Sequence, residues 1–139
     1  MAKTQAERRR HQGATMHQFE AETARHIVVI MLREALIARD IELIVQDLRP
    51  NAPAVVARNV EEVTARLFRG DVIDIAFVDE LLSAIGPSDF AQRIATDRGT
   101  VVLVGHEPSA VPQRPNLTLL QFPFTREDVE KLVFCQPVC

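Results

Sequence analysis

The chain has 139 residues, 47% of them hydrophobic and 25% charged, with a formal net charge of -3. That balance fits one globular domain around a single core, excludes a largely disordered chain, and leaves no electrostatic footprint for nucleic acid. No apolar run reaches the roughly 18 residues of a membrane span, and "MAKTQAERRRHQGATMHQ" lacks the apolar middle of a signal peptide, so the expected location is cytoplasmic.

Residues 1–25 read as a polar arm with three consecutive arginines in "AERRRHQGATMHQ", helical from about Phe19 to Arg25 and otherwise solvated. Residues 26–139 carry the domain. "HIVVIM" is a short, fully apolar, β-branched run and predicts the first strand. "LREALIARDIELIVQDLRP" then places Leu36, Ile37, Ile41, Ile44, Val45 and Leu48 at helical spacing, and Pro50 ends that helix. "APAVVARN" predicts a second strand, on an edge because Pro53 removes a ladder donor. Asn59 caps the next helix, "VEEVTARLFRG", with Glu62 at capping-box spacing and Gly70 as its terminal glycine.

"IDIAFVD" reads as a strand buried on both faces, with Asp79 at its carboxyl end. "ELLSAIGPSDFAQRIATDRG" predicts a helix that breaks at Gly86-Pro87 and restarts at Ser88. "TVVLVG" is the fourth strand, "HEPSAVPQRPN" a loop, and "LTLLQF" the fifth strand. "PFTREDVEKLVFC" starts a last helix at Thr125, with Asp128 in the third position and Glu127 also in the first turn. Cys135 and Cys139 both fall within the last five residues. They are expected to be reduced thiols, with no second Cys or His pair at zinc-finger spacing.

Five strands alternating with helices predict a parallel sheet whose right-handed crossovers cover both faces. The expected fold is a three-layer α/β/α sandwich with strand order 2-1-3-4-5.

From about residue 26 to residue 134 the chain resembles a response-regulator receiver domain, the phospho-accepting module of two-component signalling. Three passages carry the resemblance: "IDIAFVD", "TVVLVG" and "LLQFPFTREDVEKLV". It implies a flavodoxin-like fold, Asp79 as the phospho-acceptor, Asp74 five residues before it, and a cis peptide bond between Phe122 and Pro123. Receivers also use an acidic pair after strand one to hold Mg²⁺, a Ser or Thr after strand four, and a Lys after strand five. At those positions this chain has Leu32 and Arg33, Gly105, and Phe122. Mg²⁺ is therefore expected to bind only weakly, and Phe122 is expected to fill the emptied pocket as core. Asp79 has two readings: a residual phospho-acceptor, or a carboxylate that caps the next helix or pairs with Arg33.

Pro108, Pro112 and Pro115 fall where a receiver's fourth helix belongs, so that helix should be shortened or absent. The resemblance implies a bacterial signalling domain with a kinase or regulator as protein partner, and homodimerisation is open. A second reading keeps the fold and changes the class. Asp79, His106 and Glu107 would form a transition-metal or acid-base site in a small enzyme or ligand-binding protein. No phosphate-binding glycine loop and no Ser-His-Asp set is visible.

Overall fold

The computed structural model describes residues 24–79, 89–105, 107 and 116–134. Five parallel strands form one sheet in the order β2-β1-β3-β4-β5. The strands are β1 (His26–Met31), β2 (Ala54–Ala57), β3 (Val72–Val78), β4 (Thr100–Val104) and β5 (Leu117–Leu120). Among the described residues four helices accompany them, one after each of β1, β2, β3 and β5: α1 (Ala35–Leu48), α2 (Val60–Arg66), α3 (Asp89–Thr96) and α4 (Arg126–Phe134). The expected class and strand order both hold.

Two buried clusters show why the architecture has three layers. Ile27, Val29, Met31, Ala76, Val78, Val101 and Leu103 face one side, where Val63 of α2 and Phe90 and Ile94 of α3 cover them. Val28, Ile30, Ile75, Phe77, Val102, Val104 and Leu120 face the other, under Ala38, Ile41 and Val45 of α1 and Val129 and Val133 of α4. Strands apolar on both faces need such double cover, and only helical crossovers between parallel strands supply it.

The pairing of β1 with β3 carries one irregularity. Ile27 sits opposite Ile73, whereas Val28 sits opposite Ile75, so Asp74 is an extra residue bulged out of the ladder. The bulge sends Ile73 and Ile75 to opposite faces, although residues two apart in a regular strand share one. A half-buried polar side chain at Asp74 is thereby tolerated inside a strand that is otherwise almost wholly apolar.

The helix ends follow local chemistry. Asn59 Oδ1 accepts the Glu62 N–H at 2.8 Å, as expected of the cap. The Glu62 carboxylate reaches back to Arg58 rather than to Asn59, accepting its N–H at 2.7 Å. That backbone hydrogen bond, with help from the Arg58 guanidinium, holds Glu62 below the usual carboxylate range. Thr125 and Asp128 exchange both halves of a capping box: Asp128 N–H to Thr125 Oγ1 at 3.2 Å, and Thr125 N–H to Asp128 Oδ2 at 2.8 Å. Pro53 precedes β2 at a sheet edge, as predicted.

Two expectations need correction. Leu36 is not on the core face of α1; it is 80% exposed, because Ala38, Ile41 and Val45 form that face on the opposite side of the helix. Nor does Gly70 end α2, which stops at Arg66 when Leu67 turns extended. Gly70, at φ +92°, serves the turn into β3, which the Asp71 N–H closes on the Phe68 carbonyl at 3.0 Å.

Helix α3 ends in a Schellman turn. The Gly99 N–H bonds the Ile94 carbonyl at 2.9 Å and the Arg98 N–H bonds the Ala95 carbonyl at 3.0 Å. Arg98 occupies the left-handed position, at φ 61°, where glycine is usual. Arg98→Gly should therefore stabilise the fold by about 1 kcal/mol in urea denaturation, and a variant less stable than the parent would contradict this account.

Of the arm expected over residues 1–25, residues 1–23 lie outside the described residues, as do the helix restart at Ser88, both cysteines and the loop over residues 106–116 apart from Glu107 and Asn116. The end of the arm differs from expectation: Ala24 and Arg25 are not helical, and Arg25 is not a solvated tail, because hydrogen bonds to Asp71 and from the Val72 N–H tie it to the turn before β3. Among the described residues no helix is long and apolar enough to cross a membrane.

Candidate functional site at the carboxyl edge

The parallel register brings the carboxyl ends of the strands into one row. Met31 pairs with Val78, Val78 with Leu103, and Val104 with Leu120, so Leu32, Asp79, Gly105 and Gln121 each follow directly along that edge. Open α/β sheets place ligands at such an edge.

Arg33 engages Asp79 through both backbone and side chain. Its backbone N–H donates to Asp79 Oδ2 at 2.8 Å, and its guanidinium Nε lies 3.4 Å from the same oxygen. The Arg33 side chain is 70% exposed and that of Asp79 only 23%, so a largely solvated cation covers a carboxylate at the rim of the core. The pairing read from the sequence is present; any helix capped by Asp79 would lie in residues 80–88, outside the described set. Leu32 is buried and packs with Ala38 and Ile41 beneath α1.

These residues do not fit Mg²⁺. The ion needs several oxygen ligands in near-octahedral array. Leu32 brings none, and Arg33 brings positive charge to the Asp79 carboxylate. Among the described residues no three His, Cys, Asp or Glu side chains come close enough to hold a metal.

Phe122 does not fill a pocket as core. Its side chain is 51% exposed, because it follows the end of edge strand β5 and has no further strand beside it. The ring lies instead over the bare backbone of Gly105, where a β-carbon would stand 2.7 Å from Phe122 Cε2. It also stacks on Phe124, with ring centroids 5.7 Å apart, and Phe124 is partly buried against the core beneath α1 and α4. The Phe122-Pro123 bond is cis, as the resemblance implied. Of the grouping of Asp79, His106 and Glu107, Glu107 is exposed and His106 lies outside the described residues.

Sequence reasoning missed a second polar cluster, at the opposite edge of the sheet. Asp71 is buried and accepts from Arg25 Nε and an Arg25 terminal nitrogen, each at 2.9 Å, and from the Phe68 N–H at 2.8 Å. The Arg25 guanidinium also sits 4.8 Å above the Phe68 ring. Hydrogen bonding from Arg25 holds the Asp71 carboxyl below the usual range, outweighing the opposite pull of burial, and Asp71 in turn raises Arg25. Nearby, the bulged Asp74 accepts from Arg49 at 3.0 Å and lies 2.9 Å from His26 Nδ1. One signal was available: Arg25 and Asp71 each stand immediately before a strand, and those strands are neighbours.

Comparison with known proteins supplies no relative: scans against family models, curated proteins and solved structures each found no match to this chain.

Proposed function

We propose that the chain is a receiver-like signalling domain of a two-component phosphorelay, acting through protein–protein contact with a kinase or regulator, with its phospho-acceptor site impaired. The observation that carries this reading is the double engagement of Asp79 by the backbone and guanidinium of Arg33. A phosphoryl donor approaching a carboxylate needs a cation that binds both groups. Arg33 neutralises Asp79 and takes up Oδ2, one of the two oxygens that could attack, and its fixed charge does not come and go as a metal does. The domain would then present one lasting surface, with no modification-driven change.

Metal titration and phosphodonor labelling test the site. Mg²⁺ should bind more weakly than about 1 mM, and incubation with an acyl phosphate should leave the intact mass unchanged. Arg33→Asp would set a second carboxylate beside Asp79 without disturbing buried Leu32, and should tighten Mg²⁺ binding by at least about tenfold. Tight Mg²⁺ binding by the unaltered chain, lost in Asp79→Asn, would restore the ordinary phospho-switch and overturn the proposal. Purified histidine kinases or phosphotransfer domains of the source organism should bind equally with and without the acyl phosphate. Stoichiometric transition metal together with catalysis would instead favour an enzyme built on Asp79, His106 and Glu107.

A further inference from the structure

Helix α1 carries apolar side chains on two sides, and the core takes up those on one. Ala38, Ile41 and Val45 bury the inner face against the sheet. On the outer face Leu36 is 80% and Leu43 48% exposed. Seven residues make nearly two full turns, so the two leucines lie in line along the helix, about 10 Å apart. Single exposed leucines are ordinary on a protein surface. Two in register on the side away from the core form a stripe open to solvent.

Charge is arranged about this stripe with a definite symmetry. At about 100° per residue, Arg39 and Asp40 fall on opposite flanks of the leucine line, each about 50° from it. Their height along the helix is midway between Leu36 and Leu43. Asp40 makes no ion pair among the described residues, and Arg39 reaches Glu42 at 3.1 Å on its own side of the helix. Asp47, one turn beyond Leu43, is paired with Arg126 of α4, so the far end of the stripe carries no uncompensated carboxylate.

We infer that the outer face of α1 docks on α1 of a second copy of this chain, the two helices running parallel about a two-fold axis. In that arrangement Leu36 meets Leu36 and Leu43 meets Leu43. The two-fold also carries the left flank of one helix opposite the right flank of the other, so each Arg39 faces Asp40 of the second copy. An antiparallel pairing would seat Arg39 beside Arg39 and Asp40 beside Asp40, which repulsion disfavours. A partner of different sequence would have to supply this same alternation, whereas a second copy supplies it by symmetry. The leucines provide the burial and the ion pairs set the direction, since exposed pairs contribute little on their own. Two leucines per chain bury less than a standard interface, so association belongs in the micromolar range or weaker.

Sedimentation of the full chain across micromolar to near-millimolar concentrations tests this. The unaltered protein should show a reversible monomer–dimer equilibrium. Leu36→Glu and Leu43→Glu should each weaken it by at least about tenfold, with circular dichroism unchanged because both sites are on the surface. Arg39→Asp alone and Asp40→Arg alone should each weaken association by setting like charges face to face, and the double exchange R39D/D40R should restore it. A chain that stays monomeric throughout, a dimer indifferent to the leucine variants, or a double exchange that fails to recover what the single ones lose would each overturn the inference.

Discussion

Replacing Asp71 with asparagine should destabilise the domain by about 2–3 kcal/mol at neutral pH, as expected for hydrogen bonds to a buried charged group. The side chain of Asp71 is only 3% exposed and accepts from Arg25 and from the Phe68 N–H. Asparagine can keep the bond to Phe68 but turns an N–H₂ donor toward the Arg25 guanidinium, itself only a donor. The loss also reaches the backbone, because this cluster fastens the segment before β1 to the turn before β3, where the Val72 N–H bonds the Arg25 carbonyl at 2.7 Å.

The pH dependence of this effect has a definite sign. Arg25 lowers the Asp71 carboxyl in the folded chain, while in the unfolded chain it titrates near the usual value of about 3.9. A group depressed by folding contributes its full stability above the unfolded value and loses it as pH falls through the folded one. The parent should therefore lose stability faster than D71N below about pH 4, and the gap between them should narrow with acid. Denaturant midpoints measured from pH 7 down to pH 3 would show this; a gap that stays constant or widens would contradict it.

Gly99→Ala should be the most damaging single-methyl change available near the strands, at about 3 kcal/mol, the upper part of the range for overpacking. A β-carbon at Gly99 would lie 2.4 Å from the Ile73 carbonyl oxygen, 3.3 Å from that of Asp74 and 3.2 Å from Ile94 Cγ2. None of these yields easily. The Ile73 N–H is tied to Asp97 Oδ2 at 2.9 Å, Asp74 sits in the bulge, and the Gly99 N–H closes the turn at the end of α3. Relief would require separating α3 from β3. Chemical denaturation measures the effect directly, and a loss under about 1 kcal/mol would show that the turn gives way more readily than this packing allows.

Much of the fold was legible because its determinants are local. "HIVVIM" is β1 to the residue, and "TVVLVG" overlaps β4 apart from its last glycine. The caps at Asn59 and Thr125 formed where the spacing of polar side chains placed them. What escaped is non-local. The bulge at Asp74 depends on the pairing of β1 with β3, and a strand apolar on both faces has no alternation to reveal a slip. Leu36 fits a helical repeat as well as Leu48 does, and only the sheet decides which face turns inward.

The same division runs through the candidate site. Arg33 and Asp79 follow neighbouring strands, so their meeting could be anticipated from the topology. Phe122 was misplaced because hydrophobicity says that a ring needs cover without saying what covers it. Here Phe124 and the backbone of Gly105 share that role, and half the ring stays wet.

The fit of Phe122 over Gly105 also imposes an order on how this site can change by single substitutions. Any side chain introduced at position 105 would start 2.7 Å from the ring, at a backbone φ of +85° that side chains rarely adopt. A hydroxyl there would have to displace Phe122 from its stack on Phe124, forfeiting about 0.5–1.5 kcal/mol beyond the backbone penalty. Exchanging Phe122 first meets no such obstacle, since a half-exposed ring can be replaced by a long polar side chain while Gly105 stays bare. The lineage of this chain therefore has an open step and a closed one. A route from here to a polar pocket at the sheet edge begins at Phe122, and drift at Gly105 is held back for as long as the ring remains.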